Sequence, residues 1–193
     1  MSIIRHFRAQ PLLCAMCTLI LVLTMSIPTV HADKSEKRRQ KIDKREQETM
    51  QRLFKEKPRS KQLYHQSYGY AVFYGTQTAL LISGGSGKGV AINKKTGERV
   101  YMGMLAAGIG IGLGIQVLYT VFLFEEAEKF QYFVDKGWNA DASASAVAAT
   151  EGVNADSSFR DGVMVYQLTD KGLIVQASIK GTKYWRSKKL NKK

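Results

Sequence analysis

The side chains that most often carry catalytic chemistry are scarce in this chain. It has three histidines and two cysteines among 193 residues, and both cysteines lie in an apolar segment near the N-terminus. If that segment is removed on export, His65 is the one histidine left, and no second histidine or cysteine remains to bind zinc. Two carboxylate pairs could be imagined as acid and base, Asp141 with Glu151 and Asp156 with Asp161. The spacing within these pairs does not distinguish them from ordinary turn residues. We therefore predict that the protein is not an enzyme and has no catalytic residue, metal or cofactor.

Residues 84–89, with the sequence GGSGKG, look at first like a phosphate-binding loop. That motif requires a glycine where Ile82 stands and a hydroxyl residue where Gly89 stands. A dinucleotide fingerprint fails in the same way at residues 108–113, because Leu113 holds the place of its third glycine. We predict a glycine hairpin at residues 84–89. The alternative is a turn that brings Lys88 and backbone N–H groups to an anion.

Charge is concentrated at the two ends of the chain. The formal net charge is +13, with 29 Lys and Arg against 16 Asp and Glu. Residues 33–61 hold 12 basic and 6 acidic residues, residues 180–193 hold 7 basic residues and no acidic one, and the body between them is nearly neutral. Basic ends favour a polyanionic partner. For an exported protein this means anionic lipid head groups, lipopolysaccharide or other envelope polymers rather than nucleic acid. The alternative is that these lysines only keep the ends soluble.

The first 32 residues have the order of a secretory signal peptide. Arg5 and Arg8 precede an apolar run over residues 12–25, and residues 30–32 offer small side chains to a signal peptidase. We expect cleavage after Ala32 and an exported protein, either periplasmic or peripherally associated with a membrane. An uncleaved membrane anchor is the alternative.

A basic helix is predicted ahead of the main domain. Residues 35–57 contain no glycine or proline and are rich in strong helix formers. Ile42, Met50, Leu53 and Phe54 share roughly one face, and Pro58 ends the pattern. Because apolar positions are sparse before Met50, we predict a basic helical linker over residues 33–61. Its first half is expected to be solvated or to lie on an anionic surface.

From residue 68 onward, short β-prone runs alternate with glycine turns. Strands are predicted over residues 69–74, 79–82, 90–92, 100–102, 142–148, 163–168 and 173–179. One internal helix is predicted over residues 125–136, because its apolar residues recur at intervals of three and four and Gly137 stops it. The expected fold class is α+β. A mostly antiparallel β-sheet, as a sandwich or half-closed barrel, would carry this helix and the basic N-terminal helix.

Within residues 102–124, glycine alternates with branched apolar residues in an almost uncharged block. As a helix this block is long enough to span a membrane. Its four central glycines, however, each lower helix propensity by about 1 kcal/mol, and glutamates instead of basic residues follow it. We therefore predict two strands, with Gly110 and Gly112 beneath a closely packed element such as the helix at residues 125–136.

The order of motifs along residues 62–185 resembles that of the SYLF domain. The motifs are Gly69-Tyr70-Ala71-Val72-Phe73, Gly84-Gly85-Ser86-Gly87-Lys88-Gly89, Gly114-Ile115-Gln116 leading to Phe122-Leu123-Phe124, the alternating run at residues 142–148, and Lys171-Gly172-Leu173 ahead of Ala177-Ser178-Ile179. The resemblance implies a lipid-binding module of an exported bacterial protein that binds phosphoinositides or other anionic phospholipids and has no enzymatic activity.

We accordingly expect non-enzymatic binding of anionic phospholipids at the cell envelope, by a domain over residues 62–187 followed by a basic tail over residues 188–193. Basic side chains would bind head groups, and two aromatic residues would suit a membrane interface. The predicted lipid-binding residues are Lys88, Lys94, Lys95, Arg99, Lys180, Lys183, Tyr184, Trp185 and Arg186. The alternative is a structural envelope protein whose basic ends bind a protein or glycan partner.

Overall fold

The computed structural model of the protein describes residues 30–79, 83–108, 114–139, 159, 161–170, 172–174 and 181–192. The helices in these ranges are α1 (Val30–Glu56), α2 (Ser60–Gln66) and α3 (Ala127–Lys136). The strands are β1 (Gly69–Ala79), β2 (Ser83–Asn93), β3 (Arg99–Gly108), β4 (Gly114–Phe124), β5 (Trp138–Asn139), β6 (Val163–Thr169), β7 (Gly172–Ile174) and β8 (Thr182–Arg186). No helix in this part of the chain combines the length and the apolarity needed to cross a bilayer.

The described strands form one antiparallel sheet. Its order is β5-β8-β3-β2-β1-β4-β6-β7, so the consecutive strands β1, β2 and β3 are neighbours and β4 lies on the other side of β1. The pairing of β1 with β2 runs over the full length of both strands, from Gly69 opposite Asn93 to Ala79 opposite Ser83. The predicted α+β class and mostly antiparallel sheet are confirmed. The described strands build a single sheet rather than two stacked ones.

Each face of this sheet carries a hydrophobic core, because successive side chains of a strand point to opposite sides. On one face, α3 packs on a cluster of aromatic rings, where the Phe122 centroid lies 5.3 Å from that of Phe133 and 5.1 Å from that of Tyr184. On the other face, α1 and α2 pack on aliphatic and tyrosine side chains such as Val72 and Val90. The described architecture is therefore a sheet between two layers of helix.

Helix α1 packs along the sheet over more of its length than its sparse apolar residues indicate. The relative exposure is 1% at Ile42 and 0% at Leu53, and the side chains of Glu46 and Thr49 between them are also buried. The expectation of a solvated first half is therefore not met from Ile42 onward. A buried glutamate and threonine hold positions that an apolar stripe would normally fill, so hydrophobic periodicity underestimates the contact.

The glycine-rich segments adopt extended structure. Residues 84–89, where we expected a hairpin turn, lie inside β2 and pair with both β1 and β3. The block at residues 102–124 contributes β3 up to Gly108 and β4 from Gly114, which confirms the prediction of strands. Gly110, Gly112 and the predicted strand segments at residues 80–82, 142–148 and 175–179 lie outside the described residues, as do residues 1–29.

Helix α3 forms where its periodicity predicts it, beginning two residues later than expected. Gly137 ends it with φ of +72°, and its N–H donates to the Phe133 carbonyl oxygen at 3.0 Å. This left-handed conformation explains why glycine is the stop signal at that position. The following residue, Trp138, then enters β5 and packs its ring against Phe122.

Candidate anion-binding cleft

A cleft of about 650 Å³ opens between the middle of α1 and the central parts of β1, β2, β3 and β4. Three basic side chains of α1, Arg38, Lys41 and Arg45, reach it, and Lys88 of β2 joins them. The helical residues are spaced i, i+3 and i+7, which places them on one face of α1. None of the described residues that line the cleft is acidic. We refer to it as the basic cleft.

The pKa of Lys88 is affected by the positive charge of the basic cleft. Partial burial lowers the pKa of its ammonium group, and the positive charges of Arg38 and Lys41 lower that pKa further. Lys189, from the C-terminal segment, acts in the same direction. An anion bound here would relieve repulsion among these cations, so the cleft is arranged for negative charge.

Apolar and aromatic side chains line the cleft beside the cations. Trp185 and Leu105 are 40% and 52% exposed, which is unusual among the large hydrophobic residues that the structure describes. Tyr74 and Tyr119 also line the cleft, and burial raises the pKa of the Tyr74 hydroxyl. The site therefore combines cationic side chains with apolar ones.

Gly103 explains how the Trp185 indole fits against the sheet. The two residues are opposite each other in the β3–β8 pairing. A Cβ atom at Gly103 would lie 2.7 Å from both Cε2 and Cζ2 of the indole, closer than carbon atoms can approach. Glycine at this position therefore lets the ring lie directly on β3 at the wall of the cleft.

Gly103→Ala is accordingly expected to push the indole away from β3 and to increase its contact with water. In a Trp138→Phe background, where Trp185 is the one tryptophan, acrylamide should quench the fluorescence of the alanine variant more strongly. Gly84→Ala is the matched control, since no atom lies within 4 Å of the added carbon in β2. Both substitutions should change the free energy of unfolding by less than about 1 kcal/mol. Equal quenching in the Gly103→Ala and parent proteins would contradict the packing described here.

A polar cluster fixes the orientation of α1 on the sheet. The Arg99 guanidinium of β3 lies 2.8 Å from the Asp43 carboxylate and 3.5 Å from that of Glu46. Tyr70 donates a hydrogen bond to Glu46 at 3.0 Å, and Tyr101 donates one to Asp43 at 2.9 Å. Burial raises the pKa of Glu46, and the Tyr70 hydrogen bond and Arg99 partly offset that rise. Because both carboxylates are on α1, these bonds turn its basic face toward the cleft.

The C-terminal segment is also part of the folded unit. Leu190 is buried, and the Asn191 side chain both donates to the Tyr101 carbonyl oxygen at 2.7 Å and accepts from the Tyr101 N–H at 3.0 Å. Arg39 of α1 donates to the Leu190 carbonyl oxygen at 3.2 Å. These contacts bring the basic residues after Arg186 close to the basic helix, although the two are distant in sequence.

Of the predicted lipid-binding residues, Lys88 and Trp185 meet in the basic cleft. Lys183 is exposed on β8. Arg186, the last residue of β8, is also exposed, and its Nη1 lies 3.7 Å from the Asp135 carboxylate. Lys95 lies in the turn between β2 and β3, 5.3 Å above the Tyr68 ring. Lys180 lies outside the described residues.

Three other predicted residues have structural roles instead. Lys94 donates to the carbonyl oxygens of Tyr64, His65 and Ser67, so its charge stabilises the C-terminal end of α2. Arg99 forms an ion pair with Asp43 in the polar cluster under α1. Tyr184 is 2% exposed inside the aromatic core, so its ring is not available to a membrane interface.

Sequence reasoning missed Arg38, Lys41 and Arg45. Their i, i+3, i+7 spacing was a usable signal, but it lies in a segment where basic residues are frequent on every face. Only the docking of α1 shows which face meets Lys88. In the part of the chain that the structure describes, no group of three or more His, Cys, Asp or Glu side chains is placed to hold a metal ion.

No protein-family model matches the chain. Its sequence aligns with a bacterial protein at 40% identity over 139 residues. The chain is similar to Beta cell expansion factor A of Aeromonas veronii. The match covers 72% of this chain and 53% of that protein, so this chain spans about half the length of Beta cell expansion factor A.

The match to Beta cell expansion factor A includes the centre of the sheet. A match over 139 residues of a 193-residue chain necessarily contains residues 55–139. Strands β1 to β4, which include Lys88, and helix α3 therefore lie in the region shared with Beta cell expansion factor A, whereas Trp185 follows that guaranteed region. The helical side of the cleft, at residues 38–45, precedes that guaranteed region.

Proposed function

We propose that this protein binds anionic phospholipids, without enzymatic activity, and that the basic cleft holds the head group. The observation that carries the proposal is the convergence of Arg38, Lys41, Arg45 and Lys88 in one cleft with no acidic residue among its described lining. A volume of about 650 Å³ lies within the range of small-molecule sites, roughly 300–1,000 Å³.

The composition of the cleft suits a ligand that is part anion and part hydrocarbon. Guanidinium and ammonium groups form charge-assisted hydrogen bonds with phosphate oxygens. The exposed side chains of Leu105 and Trp185 can contact the glycerol backbone and the first methylene groups, where an indole is well suited to the boundary between polar and apolar surroundings. A free inorganic anion would use only the cationic half of the site.

The motif order described above supports the same class of ligand. We place the chain among SYLF-domain proteins on those motifs, and lipid binding is what that resemblance implies. We further propose that the protein is exported, on the basis of residues 1–32, and acts at the cell envelope. There, anionic head groups present a negative surface on which each nearby basic residue contributes about 1 kcal/mol of binding.

Co-sedimentation with vesicles tests the proposal. The purified protein should sediment with phosphatidylcholine vesicles that contain phosphatidylglycerol and should remain in solution with vesicles of phosphatidylcholine alone. Binding should decrease as salt is added, since the screening length falls from about 10 Å at 0.1 M salt to about 3 Å at 1 M. Equal, salt-insensitive sedimentation with both kinds of vesicle, or none with either, would refute electrostatic lipid binding.

The alternative is a structural protein that binds a protein or glycan through its basic ends. In that case binding would require the ends, whereas a lipid-binding core should keep some affinity without them. Removing them is not a clean test, because Ile42, Leu53 and Leu190 are buried and their loss would destabilise the domain. Exposed charges can be reversed without that effect. The vesicle experiment with charge variants therefore distinguishes the two functions.

A further inference from the structure

A second cleft, of about 680 Å³, lies at the edge of the sheet next to β8. It is formed by the end of α3, by the end of β8 and by the C-terminal segment. Its basic side chains are Lys136, Arg186, Lys188 and Lys192. We refer to it as the edge cleft.

The edge cleft is also cationic. Asp135 is the one acidic residue among its described lining, and its carboxylate lies 3.7 Å from Arg186 Nη1. Both partners of that ion pair are 47% exposed, so the pair contributes little by itself. The three lysines remain as a concentration of positive charge on a concave surface.

Trp185 borders both clefts. It lines the basic cleft together with Lys88 and the edge cleft together with Lys188. In the part of the sheet that the structure describes, β5 pairs only with Lys183 and Tyr184, so β8 continues beyond its outer neighbour at Trp185. Among the described strands, β8 is therefore paired at Trp185 with β3 alone, and the exposed indole lies there with a cationic cleft on each side.

We propose that the edge cleft is a second site for an anionic phospholipid head group, and that the protein contacts a membrane through the surface around Trp185. This inference rests on the proposed function of the basic cleft. The indole lies at the depth of the head groups between the two bound lipids, as tryptophan does at membrane interfaces.

Two sites on one surface have a measurable consequence. After one head group is bound, the second site meets neighbouring lipids at high effective concentration, so binding strengthens without any new contact. Membrane binding should therefore rise more steeply than the first power of the fraction of anionic lipid. A protein with the basic cleft alone should follow that fraction linearly at low occupancy.

The experiment compares the full chain with Lys188→Glu/Lys192→Glu. Vesicles of phosphatidylcholine with increasing fractions of phosphatidylglycerol are titrated, and the bound fraction is measured by co-sedimentation. Lys55→Glu/Lys61→Glu is the matched control, because it makes the same change in net charge at exposed residues that line neither cleft. Thermal unfolding of all three proteins verifies the fold.

The edge-cleft variant is expected to bind at least about tenfold more weakly, since each basic residue near an anionic surface is worth about a fivefold change in partitioning. Its dependence on the anionic fraction should fall to first order, while the control keeps the steep dependence of the original protein. If the variant and the control bind alike, the proposal of a second site is wrong, and the proposal that the basic cleft binds a head group is unaffected. If the original protein binds no anionic vesicle, both proposals fail.

Discussion

Reversing two charges of the basic cleft, with Arg38→Glu/Lys41→Glu, should weaken binding to anionic vesicles at least about 100-fold. Both side chains project from α1 into the cleft, and both act on Lys88 strongly enough to lower its pKa. The substitutions replace two attractions for phosphate with two repulsions and also pair with Lys88, which neutralises a third cation. The loss should therefore exceed that caused by any other exposed pair of basic residues.

Lys55→Glu/Lys61→Glu again provides the control for net charge, because a loss that depended only on total charge would be the same in both variants. Neither Arg38 nor Lys41 belongs to a hydrophobic core, so the free energy of unfolding should change by less than about 1 kcal/mol. Circular dichroism and thermal unfolding verify this. Undiminished binding by a folded Arg38→Glu/Lys41→Glu protein would exclude the basic cleft as the head-group site.

The largest effect on stability is expected for Phe122→Ala, about 4 kcal/mol of lost unfolding free energy. Phe122 is 0% exposed, and its ring centroid lies within 6 Å of those of Phe133, Tyr184 and Phe73. Removing the ring leaves a cavity that the rigid strands β1 and β8 cannot fill. For a protein of this size the melting temperature should fall by about 10 °C.

Phe122→Leu is the matched control, since it keeps most of the apolar volume and should cost less than about 1.5 kcal/mol. Chemical denaturation of both variants measures the difference in unfolding free energy. An alanine variant as stable as the leucine variant would mean that α3 does not close an aromatic core on this face of the sheet.

Local patterns were sufficient to predict the elements at the centre of the domain. The spacing of Phe130, Phe133 and Val134 predicts α3, and Gly137 ends it because a left-handed residue is needed there. Polar residues 94–98 separate the predicted strands at residues 90–92 and 100–102, and the structure pairs β2 with β3 across this turn. These features depend on neighbours in sequence, so the sequence alone carries the information.

Local patterns did not indicate contacts between residues that are distant in sequence. Arg99 is predicted to bind a head group, and the structure shows that it pairs with Asp43 and Glu46, more than fifty residues earlier. Glu46 likewise lies in a stretch of helix that we predicted to be solvated, yet its side chain is buried. The segment at residues 84–89 reads as a turn because it is rich in glycine, yet pairing with strands on both sides keeps it extended.

The sequence by itself determined the α+β class, the strand character of the glycine-rich block and the excess of positive charge at the two ends. The tertiary structure decided which of those charges act together. Docking of α1 through Asp43 and Glu46, and of the C-terminal segment through Asn191, brings both basic ends to the surface around Trp185. Like charges repel one another, so buried contacts must offset that repulsion to hold the basic groups together, and those contacts join residues that no local pattern connects.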